Sequence, residues 1–401
     1  PLKYPSCQKY WLGQRNDREG AYELDAAYTY LGADFPLEPP LDYSSSAPDY
    51  ITRDNRLNGD VDNRKATLGR VLFYDKQLSL NNSIACGSCH IQAHAFGDTS
   101  QQSVGLDGGK TSRQSMRLVN TRFAALPAMF WDRRAINLRN QVTQPIEDHI
   151  EMGFSGTGDQ PGLDSLLTKL QALPYYSELF DWAFDQEGAT INKQRIAQAL
   201  EHFVSSIESF DSRFDEGFAA KGDIQGSYSN FTPAENRGKF LFSAPPQLDN
   251  QNVRTSGGAG CAGCHRPPEF DIDPMSGNNG VDKEAGNPAG FDTTNTRSPS
   301  LRDIFGRDGS VNTPMMHTGN FLEFTTIVEH YNEVIPDVNN RTVDGRLVRG
   351  LTSVKLNKFA GLFLNLSTAC CASKWSRRLL LLCPLLSCIY IQIADNHQFS
   401  F

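Results

Sequence analysis

A mostly α-helical fold with long loops, built as two modules of related design, is what three features of this 401-residue chain predict. The first is helical periodicity. "NKQRIAQALEHFVSSIESF" (192–210) sets Ile196, Leu200, Phe203, Val204 and Ile207 on one face. The second is the scarcity of strand-type alternation. The third is an internal repeat: "KATLGRVLFYD" (65–75) and "PAENRGKFLFS" (233–243) share the order Gly, basic, apolar, Leu, Phe.

The elements follow in order. Residues 1–60, rich in Tyr, Asp, Pro and Ser, read as an irregular lead-in that wraps the modules. The first module spans 61–222 and opens with the first copy of the repeat. "LDSLLTKLQALPYYSELFDWAF" (163–184) has helical spacing until Pro174. The second module spans 223–366. Thr232 as N-cap, Pro233 at the first helical position and Glu235 three residues on mark a helix start. Loops such as "DPMSGNNGVDKEAGNPAGFD" (273–292) are long. Residues 367–401 form a divergent tail. Its apolar run, 379–393, is broken by Pro384 and Gln392 and is short for a membrane span, so no anchor is expected.

Each repeat precedes a cysteine motif. "IACGSCH" places Cys86, Cys89 and His90; "GCAGCH" places Cys261, Cys264 and His265. A C-x-x-C pair can bind zinc, cycle as a dithiol or accept a haem. Zinc does not require the adjacent histidine; haem attachment does. The two thiols add to the vinyl groups on one porphyrin edge, and the next residue reaches the iron. Two complete motifs make two covalently bound haem c groups the leading reading, ahead of one shared zinc or a thioredoxin-like dithiol. The fold is then two cytochrome c-like haem domains. Haems would supply much of each core, which explains the long loops. Cys7, Cys370, Cys371, Cys383 and Cys388 are left over without regular spacing, unlike a disulfide framework. The net charge of -8 and the lack of a basic stripe argue against a nucleic-acid partner. Haem c is attached outside the cytoplasm. A periplasmic compartment is expected, any targeting segment having been removed or never included in this chain.

Peroxide chemistry on an open iron needs a group that moves a proton between the two oxygens, and a carboxylate does this well. "MFWDRRAINLRNQVTQPIEDHIEMGF" (129–154) holds Trp131, Gln141 and Glu151. This stretch resembles the signature of the bacterial dihaem cytochrome c peroxidase family, which includes the MauG-type enzymes. The resemblance runs from about Asp60 to about Leu366 and includes "RSPSLRDIFG" and "TPMMHTGNFLEFTTIVEHYN". It implies a peroxidatic haem on Cys86 and Cys89 with His90 as proximal ligand. It further implies Glu151 as acid–base group, Gln141 as its polar neighbour and Trp131 between the haems. The haem on Cys261 and Cys264, ligated by His265, would transfer electrons. The family commonly holds a calcium ion between the haems, at positions matching Gln114, Asn312 and Pro314, the last two through backbone carbonyls. The family usually has Asn where this chain has Gln114.

Two departures concern the distal ligands. Where classical members have a histidine that blocks the peroxidatic iron, "SVGLDGG" has Leu106. At the second haem, "TTIVEHYNEV" puts Tyr331 where classical members use Met, as in the MauG-type branch; Met315 or Met316 is the alternative ligand. Without the resemblance, Trp131 and Tyr331 read as packing and Glu151 as a surface carboxylate. His94, His149, His202, His317, His330 and His397 read as structural or exposed. The leading function is a peroxidase that reduces hydrogen peroxide with electrons from a small cytochrome c or cupredoxin. The alternatives are MauG-type oxidation of a side chain in a partner protein, and a non-catalytic electron carrier.

Overall fold

The computed structural model describes residues 42–344 and residue 347, apart from 57–58, 185–189, 252–253, 273–275, 282–296, 307–308 and 334–343. Most of the lead-in, the tail and the five leftover cysteines lie outside the described residues. Among those described, helices dominate and strands are confined to two small two-stranded sheets.

The N-terminal half is organised by two helices, α1 (Asn63–Tyr74) and a later partner across the core. Asp62 starts α1, its Oδ1 accepting the N–H groups of Arg64 and Lys65 at 2.9 and 3.0 Å. A short turn, α2 (Cys86–Cys89), carries the first cysteine motif, and α3 (Leu138–Gln141) follows a long irregular stretch. The continuous periodicity of 163–184 divides into α4 (Leu163–Gln171) and α5 (Pro174–Ala183). Pro174 takes the first position of α5, so it begins a helix rather than ending the pattern. Helix α6 (Lys193–Ser205) is capped by Asn192, whose Oδ1 accepts from Arg195 N at 2.9 Å. The predicted face of Ile196, Leu200, Phe203 and Val204 is buried.

Helices α1 and α6 touch backbone to backbone. A Cβ on Gly69 would come within 1.9 Å of the Ala199 carbonyl oxygen, so the repeat's glycine is demanded by this crossing. Phe73 meets Phe203 edge-on at 5.1 Å. Tyr175 and Tyr176 both donate to the Asp75 carboxylate, pinning α5 to the end of α1.

The C-terminal half comprises α7 (Arg213–Lys221), α8 (Pro233–Ser243) and α9 (Phe324–Glu333). The α8 start is as predicted. Thr232 Oγ1 accepts from Glu235 N at 3.3 Å and Glu235 Oε2 accepts from Thr232 N at 2.6 Å. Strands β1 (Pro246–Leu248) and β2 (Arg254–Gly257) pair antiparallel, as do β3 (His265–Arg266) and β4 (Asp271–Ile272). Phe214, Leu241, Phe242, Phe270 and Ile304 form the apolar cluster. Helix α7 precedes the sequence-drawn boundary at 222, yet Phe214 packs it into this second cluster.

Candidate functional site

The first motif directly follows α1. The thiols of Cys86 and Cys89 are free and half-buried. His90 Nδ1 lies 2.9 Å from the Phe96 carbonyl, and Ser115 Oγ lies 3.2 Å from Nδ1 and 3.4 Å from Nε2. A ring held through Nδ1–H presents Nε2 as a lone-pair donor. Burial lowers the imidazole pKa, which favours the neutral, ligating form.

Leu106 is buried, and its N–H donates to the Ile150 carbonyl at 2.7 Å. Gly153 has φ 86°, and a Cβ there would lie 2.5 Å from Leu106 Cδ2. The turn leading to Glu151 is fixed by Asp148, whose Oδ1 accepts from the N–H groups of Ile150 and Glu151 at 2.8 and 3.0 Å. Burial, reinforced by the Asp148 charge and opposed by Arg134, pushes the Glu151 carboxyl up to about 7. Burial pushes both thiols up to about 12, and the Glu151 charge adds to the rise at each. Glu151, Leu106 and the first motif are therefore one neighbourhood. Gln141 ends α3, half-buried; no hydrogen bond joins its amide to Glu151 among the described residues.

The second motif opens on a cavity with an empty volume of about 1540 Å³, part of it open to solvent. Its walls include Cys261, Cys264, His265, Met315, Met316 and Tyr331. Burial drives His265 down to about 4, against the nearby carbonyls of Pro299 and Phe270. Its Nδ1 is buried without a hydrogen bond of good geometry. The Tyr331 hydroxyl is 4.0 Å from Met316 Sδ, and Asn279 Nδ2 is 3.5 Å from the same sulfur. Burial raises the Tyr331 phenol well above its ordinary value, with Asn279 opposing. Two cysteines, a histidine and candidate distal ligands around a large cavity are a donor set that fits haem. No three His, Cys, Asp or Glu side chains converge as a metal cluster among the described residues, so the two cysteine pairs do not meet as a shared zinc requires.

Trp131 lines the second cavity. Its Nε1 donates to the Gln114 carbonyl at 2.8 Å, its own carbonyl accepts from Arg297 N at 3.2 Å, and its ring is 6.0 Å from that of His317. The candidate calcium ligands lie nearby in a different state. Gln114 Nε2 donates to the Asp98 carbonyl at 3.0 Å, and its buried Oε1 makes no hydrogen bond. The Asn312 carbonyl accepts from Arg117 Nη2 at 2.6 Å, and the adjoining Thr313 carbonyl accepts from His94 Nε2 at 2.6 Å. Pro314 lines the second cavity. A guanidinium therefore holds one of the three expected oxygens, while another, Gln114 Oε1, is unpaired.

Sequence reasoning missed Arg117 and Arg297, which line the second cavity, and the buried His317 behind Trp131. Arg297 and His317 stand inside "RSPSLRDIFG" and "TPMMHTGNF", so the resemblance offered a signal for them. Arg117 stands three residues after Gln114 with no spacing to mark it.

Comparison with known proteins agrees with this geometry. Residues 63–223 match the family described as di-haem cytochrome c peroxidase. The methylamine utilization protein MauG of Methylophilus methylotrophus is 30% identical over 281 residues, covering 69% of this chain and 74% of that protein. The chain belongs to the di-haem cytochrome c peroxidase family. Cytochrome c551 peroxidase of Pseudomonas aeruginosa is 31% identical over 177 residues, 44% of this chain and 47% of that one. A solved MauG-like protein associated with microbial copper homeostasis shares the fold, with a TM-score of 0.60 at 24% identity over 82% of this chain and 97% of its own. The diheme peroxidase BthA from Burkholderia thailandensis gives 0.58 at 19% identity, over 77% and 87%. This di-haem peroxidase family member is an oxidoreductase. Among its described residues, no helix is long and apolar enough to cross a membrane.

Proposed function

We propose that the chain reduces hydrogen peroxide to water at a haem held by Cys86, Cys89 and His90, in a module spanning 61–222. Cys261, Cys264 and His265, in a module spanning 223–366, would hold a second haem that would supply the electrons. When bound, the first haem supplies an iron that takes up peroxide and exchanges electrons. Each peroxide consumes two electrons and two protons and yields two waters. The electrons come from a small cytochrome c or cupredoxin in the periplasm.

The observation that carries this reading is Glu151: a carboxyl held near neutrality by burial, with its charge felt at both thiols of the first motif. Such a group takes a proton from one peroxide oxygen and returns it to the other. Gln141 would orient the oxygens. Leu106 has no donor atom and would not ligate an iron held there. Trp131, hydrogen-bonded to one half and packed on the other, suits electron passage between the sites.

The test is Glu151→Gln. Haem oxidation by peroxide, followed by stopped flow, is expected to fall about 100- to 10,000-fold while both haems stay bound. A near-normal rate would return Glu151 to a structural role, and a pyridine haemochrome ratio of one haem per chain would sink the architecture.

A second reading, MauG-type oxidation of a side chain in a partner protein, is favoured by Tyr331 at the wall of the second cavity. A tyrosinate ligand is hard and anionic and stabilises ferric iron. Tyr331→Phe would then change the resting spectrum of the second haem. An unchanged spectrum would point to Met315 or Met316.

A further inference from the structure

We infer that Arg117 supplies the fixed cation between the two haem sites, and that this chain works without the calcium ion that the family resemblance implies. The inference rests on the di-haem reading above and departs from it only in the identity of the cation.

The geometry concerns three carbonyls and one amide. Calcium needs about six to eight oxygens in a shell around it. Here the Asn312 carbonyl is taken by Arg117 Nη2 at 2.6 Å and the Thr313 carbonyl by His94 Nε2 at 2.6 Å. Nitrogen donors therefore hold two neighbouring carbonyls of this segment, one of them an expected calcium ligand. A guanidinium and a divalent cation on one carbonyl repel each other in a buried site. Gln114, longer by one methylene than the family's Asn, turns its amide nitrogen to the Asp98 carbonyl at 3.0 Å. Its Oε1 is left without a hydrogen bond, an oxygen that a water, an N–H or a cation can take.

The position of Arg117 suits the role. It follows Ser115, whose hydroxyl touches His90, by two residues, and it lines the cavity of the second motif. A guanidinium keeps its charge at neutral pH. A planar guanidinium has five donors and forms directed bonds to carbonyls. A permanent positive charge there holds the segment 312–314 against the N-terminal half and favours reduction of nearby iron.

The experiment uses holoprotein dialysed against EGTA, with calcium measured by atomic emission and haem by pyridine haemochrome on the same sample. The haem ratio tests the di-haem reading separately. The expected result is full haem content, no retained calcium, and a spectrum and peroxide turnover unchanged by EGTA or added calcium chloride. Stoichiometric calcium that survives dialysis, or a spectrum that changes with EGTA, would overturn the inference. Arg117→Ser is expected to bind calcium in titration calorimetry and to shift the haem potentials, whereas Arg117→Lys keeps the wild-type potentials in EGTA. A folded Arg117→Ser protein with unchanged potentials and no calcium binding would also overturn it. Should that variant fail to take up haem, the chelation result on the wild type decides.

Discussion

Around Gly69 the N-terminal half packs α1 on α6 almost wholly through apolar side chains, with Leu68, Leu72, Phe73 and Phe203 buried. Around Lys239 and Arg302 the C-terminal half builds its interior on buried cations. Lys239 Nζ donates to the Ile224 and Gly226 carbonyls at 2.5 and 2.6 Å and sits 4.0 Å above the Tyr228 ring. Arg302 is fully buried, grips Asp215 at 2.6 and 2.9 Å, and lies over the rings of Phe210, Phe214 and Phe270. The same Gly-basic-apolar-Leu-Phe pattern thus serves two interiors. It sets a helix ahead of a cysteine motif, but leaves the means of stabilisation to the surroundings. The crossing of α1 and α6 leans on apolar burial. The C-terminal half leans on directed polar contacts, which fail sharply when one partner is removed.

The largest expected effect breaks the second half. Arg302→Met would leave Asp215 buried beside Ser212 and Tyr50 without its counter-ion. A loss of about 3–5 kcal/mol is expected in urea unfolding of the holoprotein. Hydrogen exchange should show lost protection in α7 and α8 while α1 and α6 keep theirs. Adding Asp215→Asn to the same background should recover part of the stability, because the stranded charge is gone. Equal loss in both halves would mean that the two interiors are not separate in the way described.

A smaller effect is expected in the first half. Gly69→Ala forces a methyl to 1.9 Å from the Ala199 carbonyl oxygen. The helices must part, at a cost of about 1–3 kcal/mol. The loss should centre on α1 and α6. An Ala variant as stable as wild type would show that the crossing is looser than its geometry.

Much of this was legible in the sequence. The helix faces followed from spacing because one stripe of α6 must meet the core, and the capping box at Thr232 followed from local chemistry. Glu151 was legible only through the resemblance, since nothing in "IEDHIEMGF" separates it from its acidic neighbours. Pro174 misled because proline ends one helix and opens another with equal ease. Arg117 was invisible because its meaning lies in Asn312, far away in sequence. A buried cation on a distant carbonyl leaves no periodic trace.

The smallest effect sharpens the comparison at the two sites themselves. The first site holds a carboxyl titrating at about 7, raised by burial and then by Asp148. The second holds a phenol, Tyr331, raised far above neutrality by burial. Of these two groups, only Glu151 can exchange protons with its surroundings near neutral pH, which suits proton-coupled peroxide chemistry. The sign follows from the role. Glu151 must be ionised to accept the peroxide proton, so the rate of haem oxidation should rise with pH, by up to about tenfold per unit below the midpoint, and level off above it. Asp148→Asn keeps the oxygen that accepts the Ile150 and Glu151 N–H groups but removes the like charge. The Glu151 pKa then falls, and the rising limb should move to lower pH with its plateau unchanged. Stopped-flow rates from about pH 5 to 9 on wild type, Asp148→Asn and Glu151→Gln check this, with Glu151→Gln expected to be flat. A limb that stays in place in Asp148→Asn, or persists in Glu151→Gln, would assign the titration to another group and end the contrast between the two sites.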